Sequence, residues 1–461
     1  MPSFFTSNKW LLSSSILIAL MIIGVQCSQV AVSTSQAKLC PVTDSALPTD
    51  IAPYVTETTI SKWFKSDTIR PNGVVKPANS VTFPANTDTD FHQWSEQMFL
   101  WLTSPHGKGY VFNSALFHAV LSDGSLQRIH SGLLLHAKLR HAKKGSSTSE
   151  GQAGHDASGV LMSQNGSLVY YITMVNDVFV TYKKAVEDNA KGVDKKHFPT
   201  SATDLAALVA YAKAQKIQLP DSIALAMELK TSWVEASTVC NPENFITMDA
   251  QVAVYDQSKP DYWTAIPNQA KTVKLALVGM HVVGSVRNHP EMVWATFEHR
   301  GNAPNAAYSY LNIKKDTIKV LADSSKGNWT FGSPKALYGS NNAMFMKMDT
   351  AKMPNIMAAS AGLKISASNA QRTKPWGGDP STDAYAGKTF KSNESNANVI
   401  SINNSVLNAL KAGDIRKNYL FIGSLWTHGG LAPVTNNDKN NYNLLGSTLL
   451  ANATMETYKM S

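Results

Sequence analysis

The sequence predicts an α+β protein built mostly on antiparallel β-sheet, sandwich-like, with a pair of helices inserted between strand-rich halves. Three observations carry this. Runs of β-branched and aromatic residues at 245–256, 271–286, 291–300 and 419–430 read as strands. A helical pattern separates an earlier strand region from these later ones, so the order is β, helix pair, β. No internal repeat is visible, and 461 residues at 43% hydrophobic content suffice for one large core.

The elements follow in order. Lys9 is the only charged residue before Lys38, and Trp10 to Val25 form an apolar run broken only by Ser13, Ser14 and Ser15. A positive start, a short apolar stretch and small residues at Ala31-Val32-Ser33 read as a secretory signal peptide over 1–33. The run is short for a spanning helix, which needs roughly 20 apolar residues. A competing reading places lipid on Cys27, although Gln26 is not the small residue such a site normally carries. An uncleaved anchor is a third. Residues 34–90, rich in Pro, Thr, Asn and Asp, read as an extended arm with short strands such as Gly73-Val74-Val75. The remainder, 91–461, reads as one large β-rich domain with its helices near 201–237.

Within that domain, FHQWSEQMFLWLTSP (91–105) places Phe91, Trp94, Met98 and Trp101 at helical spacing, and Pro105 stops the pattern. Its aromatic face reads as core. Strands are expected at 110–121 and 129–140, and a Gly/Ser loop at 143–159. A turn is expected at Asn165-Gly166, with β-rich stretches on both sides over 160–182. Ser201-Ala202-Thr203-Asp204 caps a helix running to about Lys216. Pro220-Asp221 opens a second, carrying Ile223, Leu225, Met227, Leu229 and Trp233. Weak strands and Asn/Ser/Gly loops fill 301–395. Residues 399–413 read as a strand followed by a short helix ended by Gly413.

Composition narrows the function. With 42 Lys+Arg against 33 Asp+Glu the chain carries +9, or +8 without Lys9. A basic, charge-poor protein is drawn to anionic surfaces such as lipid headgroups, polysaccharides or acidic partners. Export argues against nucleic acid, and contact with the membrane is expected only through the signal segment or a lipid anchor. Cysteine usage agrees with an oxidising compartment. Only Cys27, Cys40 and Cys240 occur, and with Cys27 removed or lipidated, Cys40 and Cys240 remain to form a disulfide. The competing reading is two separate buried thiols. The absence of any CxxC pair excludes a cysteine-rich zinc site and a covalent c-type haem.

Three constellations are candidates for chemistry. His281, His289, Glu291, Glu298 and His299 offer donors suited to Zn, Fe or Cu. However, Glu298 and His299 point to opposite faces of a strand unless a bulge intervenes. The competing reading is a core histidine and a solvated turn. His92 and Glu96, four apart on the first helix of this domain, read as a surface hydrogen-bonded pair or as part of a site near Trp94 and Trp101. A basic run without Asp or Glu from Gly124 to Ser149 carries Arg128, Lys138, Arg140, Lys143 and Lys144 as candidate anion-binding residues. Seven of the twelve histidines lie between 92 and 155, which makes this region sensitive to pH. His428, before two glycines, sits where a loop carries function or simply turns. GxSxG, GxGxxG and P-loop patterns are absent.

Several blocks then resemble one family: EQMFLWLTSP (96–105), GVLMSQNGSLVYYITMVNDVF (159–179), ELKTSWVEAS (228–237), ALVGMHVVGSVRNHPEMVWATFEHRGNAPNAAYSY (276–310), ISINNSV (400–406) and LLGSTLLANATMETY (444–458). They are similar to a family of large exported, mostly uncharacterised bacterial proteins, over residues 91–458. In such relatives the last block is often followed by a CxxCH cytochrome c-type haem motif, which is absent here. The resemblance implies a bacterial periplasmic, envelope or secreted protein and supplies no reaction residue by residue. Two functions are therefore expected. The first is binding of an anionic envelope component or partner. The second is an exported redox or metal-dependent enzyme that lacks the haem-attachment motif.

Overall fold

The computed structural model describes residues 47–139, 159–323, 329–332, 342–343, 345–378, 383–385, 388–390, 392–432 and 443–455. All of these fall in one compact unit spanning Lys38–Ser461. The fold is α+β with a large antiparallel sheet of twelve strands, as the strand runs predict.

Thr56 caps α1 (Glu57–Trp63), whose Ile60 and Trp63 are buried. Phe64 then bridges to Val75, and both are sealed in the core. The described part of the expected arm is thus a helix and a turn whose apolar residues join the main core. The next helix, α2 (Asp88–Leu102), starts at a capping box. Thr87 accepts from the Asp90 amide, and the Asp90 carboxylate accepts from the Thr87 amide. Its pattern buries Phe91, Trp94, Met98, Phe99, Trp101 and Leu102.

Strands β1 (Phe117–Val120), β2 (Leu126–Arg128) and β3 (Tyr170–Asn176) follow. Most of 110–121 and 129–140 lies outside strands, with a single 3₁₀ turn at Val111–Asn113 and a two-residue strand at Leu135–His136. Beyond β3 the expected strand becomes α3 (Asp177–Glu187), because the Asn176 side chain caps the Phe179 amide and starts a helix. Helix α4 (Ala202–Ala214) begins at the Ser201–Asp204 capping box as predicted. The inserted pair is therefore α3 and α4.

The expected second helix is instead β4 (Met227–Glu235). Met227, Leu229, Thr231 and Trp233 are all fully buried on alternate positions, the two-residue period of a strand. Strands β5 (Thr247–Asp256), β6 (Tyr262–Val286) and β7 (His289–His299) match the predicted runs, β6 being longer. Residues 392–409 are one helix, α5, in place of a strand and short helix. Strand β8 (Tyr419–Thr427) and the short β9 (Leu444–Gly446) end the main path, and Leu135–His136, Met346–Met348 and Ile356–Ala358 add three short strands off it.

The main path of the sheet runs β9-β8-β7-β6-β4-β3-β1-β2, with β5 paired to the outer half of β6. Helices α2 and α5 cover one face, here called inner, where Phe99 stacks on Phe297 at 4.2 Å between ring centres. The opposite, outer face has two covers. Val283 packs with Val178, Tyr182 and Leu208 of the α3–α4 pair. Residues 447–455 lie against Gly279 and Gly423, whose absent Cβ atoms leave room for Thr454 and Ser447. No described helix is long and apolar enough to cross a membrane.

Candidate functional site

Strand register assembles the chemistry on the outer face. Thr173, Lys230, His281 and Thr296 stand opposite one another across β3, β4, β6 and β7. The next row, two residues along each strand, is Val175, Glu228, Val283 and Trp294, and it continues through His118 to Arg128. Directly paired residues have Cβ atoms about 5 Å apart, so Lys230 and His281 are side-by-side neighbours.

The first row is closed at its Thr296 end and partly open along the rest, while Val175 and Val283 in the middle of the second row are buried. Thr296 is fully buried and accepts from Asn452 Nδ2 at 2.8 Å. Thr173, Lys230, His281 and Glu228 are only partly covered. Trp294 is 49% exposed, and its indole N–H leans on the Glu291 carbonyl at 3.4 Å. The result is a polar strip between the helix pair and the C-terminal segment, with a bare indole on its rim.

The expected metal ligands do not converge. Among the described residues no group of three or more His, Cys, Asp and Glu is placed to hold a metal ion. His281 lies on the strip. His289 Nδ1 donates to Glu291 Oε1 at 2.7 Å, and its ring edge meets Phe91. Glu298 is fully buried and pairs with Arg372 Nε at 3.1 Å while accepting from the Ala453 amide at 2.7 Å. His299 stacks on Phe245 at 3.8 Å, and burial lowers its pKa to about 3. Strand alternation separates Glu298 from His299, the geometry that argues against a shared ion.

The His92–Glu96 pair is interior rather than at the surface. His92 Nδ1 sits 2.8 Å from Ser424 Oγ, and burial lowers its pKa to about 3. Burial pushes the Glu96 carboxyl up to about 8. Three separate sequence features meet here. Phe91 of α2 stacks on Trp426 of β8 at 4.2 Å and touches His289 of β7, while Glu291 accepts from Thr427 Oγ1 at 2.9 Å. His428 follows in a turn whose Gly430 has φ +71° and no space for a Cβ beside the Asn288 carbonyl. The two glycines serve the turn.

The basic run disperses as well. Arg128 is committed to Asp177, with Nη2 at 2.6 Å from Oδ1, and to the Ala115 carbonyl at 2.8 Å. That cluster includes His118, whose Nδ1 is 3.6 Å from Asp177 Oδ1. Burial, then the Arg128 charge, lowers the His118 pKa to about 4. Burial raises Asp177 to about 6 against the opposing pull of Arg128. Lys138 bridges to Tyr171 through its backbone, and burial lowers its pKa. Arg140, Lys143 and Lys144 lie outside the described residues, as do Cys27 and Cys40. Cys240 is half-buried just beyond β4.

A second surface feature escaped the sequence. A cleft of about 160 Å³ opens between Lys108 and Lys274, floored by Ile129, Leu133 and Met248, with Asp249 3.4 Å from the Lys274 ammonium. Its two lysines are 166 positions apart in the chain, so no local pattern announces them. Lys230 and Glu228 were hidden by the helical reading of their segment. Trp294 sits in the apolar run Met292-Val293-Trp294-Ala295, which gives no sign of its exposure. Comparison with known proteins gives no match among family models, curated proteins or solved structures.

Proposed function

We propose that this is an exported bacterial envelope or secreted protein that binds an anionic envelope component or partner. The observation that carries the reading is the cleft lined by Lys108 and Lys274, two exposed lysines at a mostly polar opening, with Asp249 beside Lys274. The chain's +9 charge supports it by drawing anions toward the surface at long range. A phosphate or carboxylate group suits Lys108 and, in exchange for the Asp249 carboxylate, Lys274.

Envelope fractions passed over the immobilised protein test the reading. Retention of lipid, glycan or protein at low salt, lost at about 0.5 M salt, is expected, because screening shortens to a few ångströms. The Lys108→Glu/Lys274→Glu protein should lose most of that retention. Retention that ignores both salt and the double substitution sinks the proposal.

The compartment has its own test. The intact mass of the protein from its native host should correspond to cleavage after Ser33 and a Cys40–Cys240 bond. Added lipid mass on Cys27 would replace cleavage by anchoring. Two alkylatable thiols in protein made in an oxidising compartment would exclude the disulfide.

A further inference from the structure

We propose that the cleft lined by Lys108 and Lys274 takes a compact zwitterion, a ligand that carries a primary ammonium within a few atoms of its carboxylate or phosphate. The inference rests on the anion-binding reading of the same cleft and names its ligand class.

The charges of the cleft are the first reason. Asp249 of β5 and Lys274 of β6 are direct cross-strand partners, with carboxylate and ammonium 3.4 Å apart. Both side chains stay more than half exposed, at 55% and 59%, so the pair contributes little and either group is free to turn to a ligand. Lys108 is exposed and makes no ion pair among the described residues. A simple anion held by the two lysines sits beside the Asp249 carboxylate, which repels it at short range. A ligand with its own ammonium reverses that repulsion. Its anion meets Lys108 and Lys274, and its cation meets Asp249. The same carboxylate therefore disfavours one class of ligand and favours the other.

Uncharged donors supply the second reason. Asn113 and Thr247 also line the cleft. Asn113 Oδ1 accepts from the Tyr110 amide at 2.7 Å, which orients the side chain and leaves its Nδ2 hydrogens without a partner among the described residues. Gly109 makes room for this arrangement, since a Cβ there would stand 2.6 Å from Asn113 Oδ1. Thr247 lies two residues before Asp249, hence on the same strand face, and its hydroxyl is likewise uncommitted among the described residues. The cleft thus offers an ammonium, an amide N–H and a hydroxyl that the described fold does not use. An oxyanion accepts from all three.

Size is the third. The cleft encloses about 160 Å³. An engineered protein cavity of about 150 Å³ holds a single benzene molecule, so the enclosed portion of a ligand is on the order of ten non-hydrogen atoms or fewer. A small α-amino acid or a phosphoethanolamine head fits that limit.

Calorimetric titration with two matched pairs tests this at low ionic strength, where exposed charges are least screened. The pairs are alanine against propionate and phosphoethanolamine against ethyl phosphate, each differing by one ammonium. At least one zwitterion should bind roughly tenfold more tightly than its partner. Preference within the first pair assigns a free amino acid, and preference within the second a phosphoethanolamine head. Asp249→Asn should abolish the preference while leaving the plain anion bound as well or better, because Lys274 is then released. A misfolded variant would lose both ligands instead, and identical thermal unfolding establishes that the fold is intact. Asn113→Ala should weaken both members of the preferred pair. Equal affinity within both pairs, a preference that survives Asp249→Asn, or no binding by either zwitterion overturns the inference. Equal affinities that are lost in Lys108→Glu/Lys274→Glu would remove the zwitterion and keep the anion site. Envelope retention that ignores that double substitution would remove the anion-binding reading and this inference with it.

Discussion

The two faces of the central sheet are sealed by different physics. On the inner face, Trp94 of α2 and the sheet residues Trp233, Phe297 and Phe421 are essentially without exposure. On the outer face, beside apolar clusters around Val283 and around Val234, Ala276, Val278 and Phe331, the equally buried residues include Ser232, Thr296, Glu298, Asn452 and Thr454. There Ser232 and Thr454 hydroxyls meet at 2.7 Å, Tyr171 donates to the Thr454 carbonyl at 2.7 Å, and Glu298 binds both Arg372 and the Ala453 amide. One face gains stability from apolar area removed from water. The other gains little net from each bond but loses heavily when one partner is removed. The outer cover is therefore specified in position by directional bonds, and the inner one by volume. An open, chemically diverse strip can persist only on the outer face, where polar side chains are already tolerated.

The largest effects should come from one substitution on each face. Trp94→Ala empties a fully buried site against Gly284 and should cost about 3–5 kcal/mol. Arg372→Ala leaves the Glu298 carboxylate buried without its cation and should cost a similar ~3–5 kcal/mol. The two differ in rescue. Converting Glu298→Gln together with Arg372→Met should recover much of the second loss, since no charge is then stranded, whereas the Trp94 cavity has no such compensation. Urea midpoints of the four proteins measure this. An Arg372→Ala cost below about 1 kcal/mol would show that the outer face is not a dry interior.

A smaller effect distinguishes the helices by pH. Glu96 is held protonated up to about 8 in the fold but ionises near 4.5 when unfolded. Its contribution is complete below 4.5 and is lost as pH rises toward 8. His92 and His299, near 3 when folded, act oppositely: they contribute above 6.5 and lose it as pH falls toward 3. Between 4.5 and 6.5 the two trends oppose each other. From pH 6.5 to 8 the histidines are neutral in both states, and Glu96 acts without them. Stability should fall there by up to about 2 kcal/mol, from a limiting slope of about 1.4 kcal/mol per pH unit. Glu96→Gln should flatten that slope. An equal slope in the variant would assign the fall to another group.

Much of the fold was readable because it rests on local signals. The Ser201–Asp204 box, the aromatic period of 91–102 and the apolar runs of β5, β6, β7 and β8 each predict an element by themselves. Failures arose where tertiary partners override local preference. Helix α5 contains Asn403 and Ser401, poor helix formers, yet Asn403 binds the Val399 and Phe421 carbonyls and the Phe421 amide, so the polar side chain is fully used. The Pro220-Asp221 start suggested a helix over what is a strand, although the alternation from Met227 to Trp233 was present. The strip was illegible for a different reason. Lys230, His281 and Trp294 become neighbours only through the register of three strands, and register is not visible in any one of them.

The smallest expected effect tests whether the two covers unfold as one unit. Thr87 and Ser201 make the same capping box, at the start of α2 and α4 respectively. Replacing either by Ala should cost about 1 kcal/mol. The consequences should nevertheless differ. α2 belongs to the main core, so Thr87→Ala should move the global unfolding midpoint. Leu208 of α4 packs in a separate cluster with Val178, Tyr182 and Val283, so α4 can open while the sheet remains folded. Ser201→Ala should then speed amide exchange in 202–214 by about fivefold and leave exchange in β6 and β7 unchanged. Equal acceleration in the helix and the sheet would mean that the helix pair and the core open together. In that case the helix pair is as firmly held as the sheet it covers, and the outer face is not uncovered by local opening of α4.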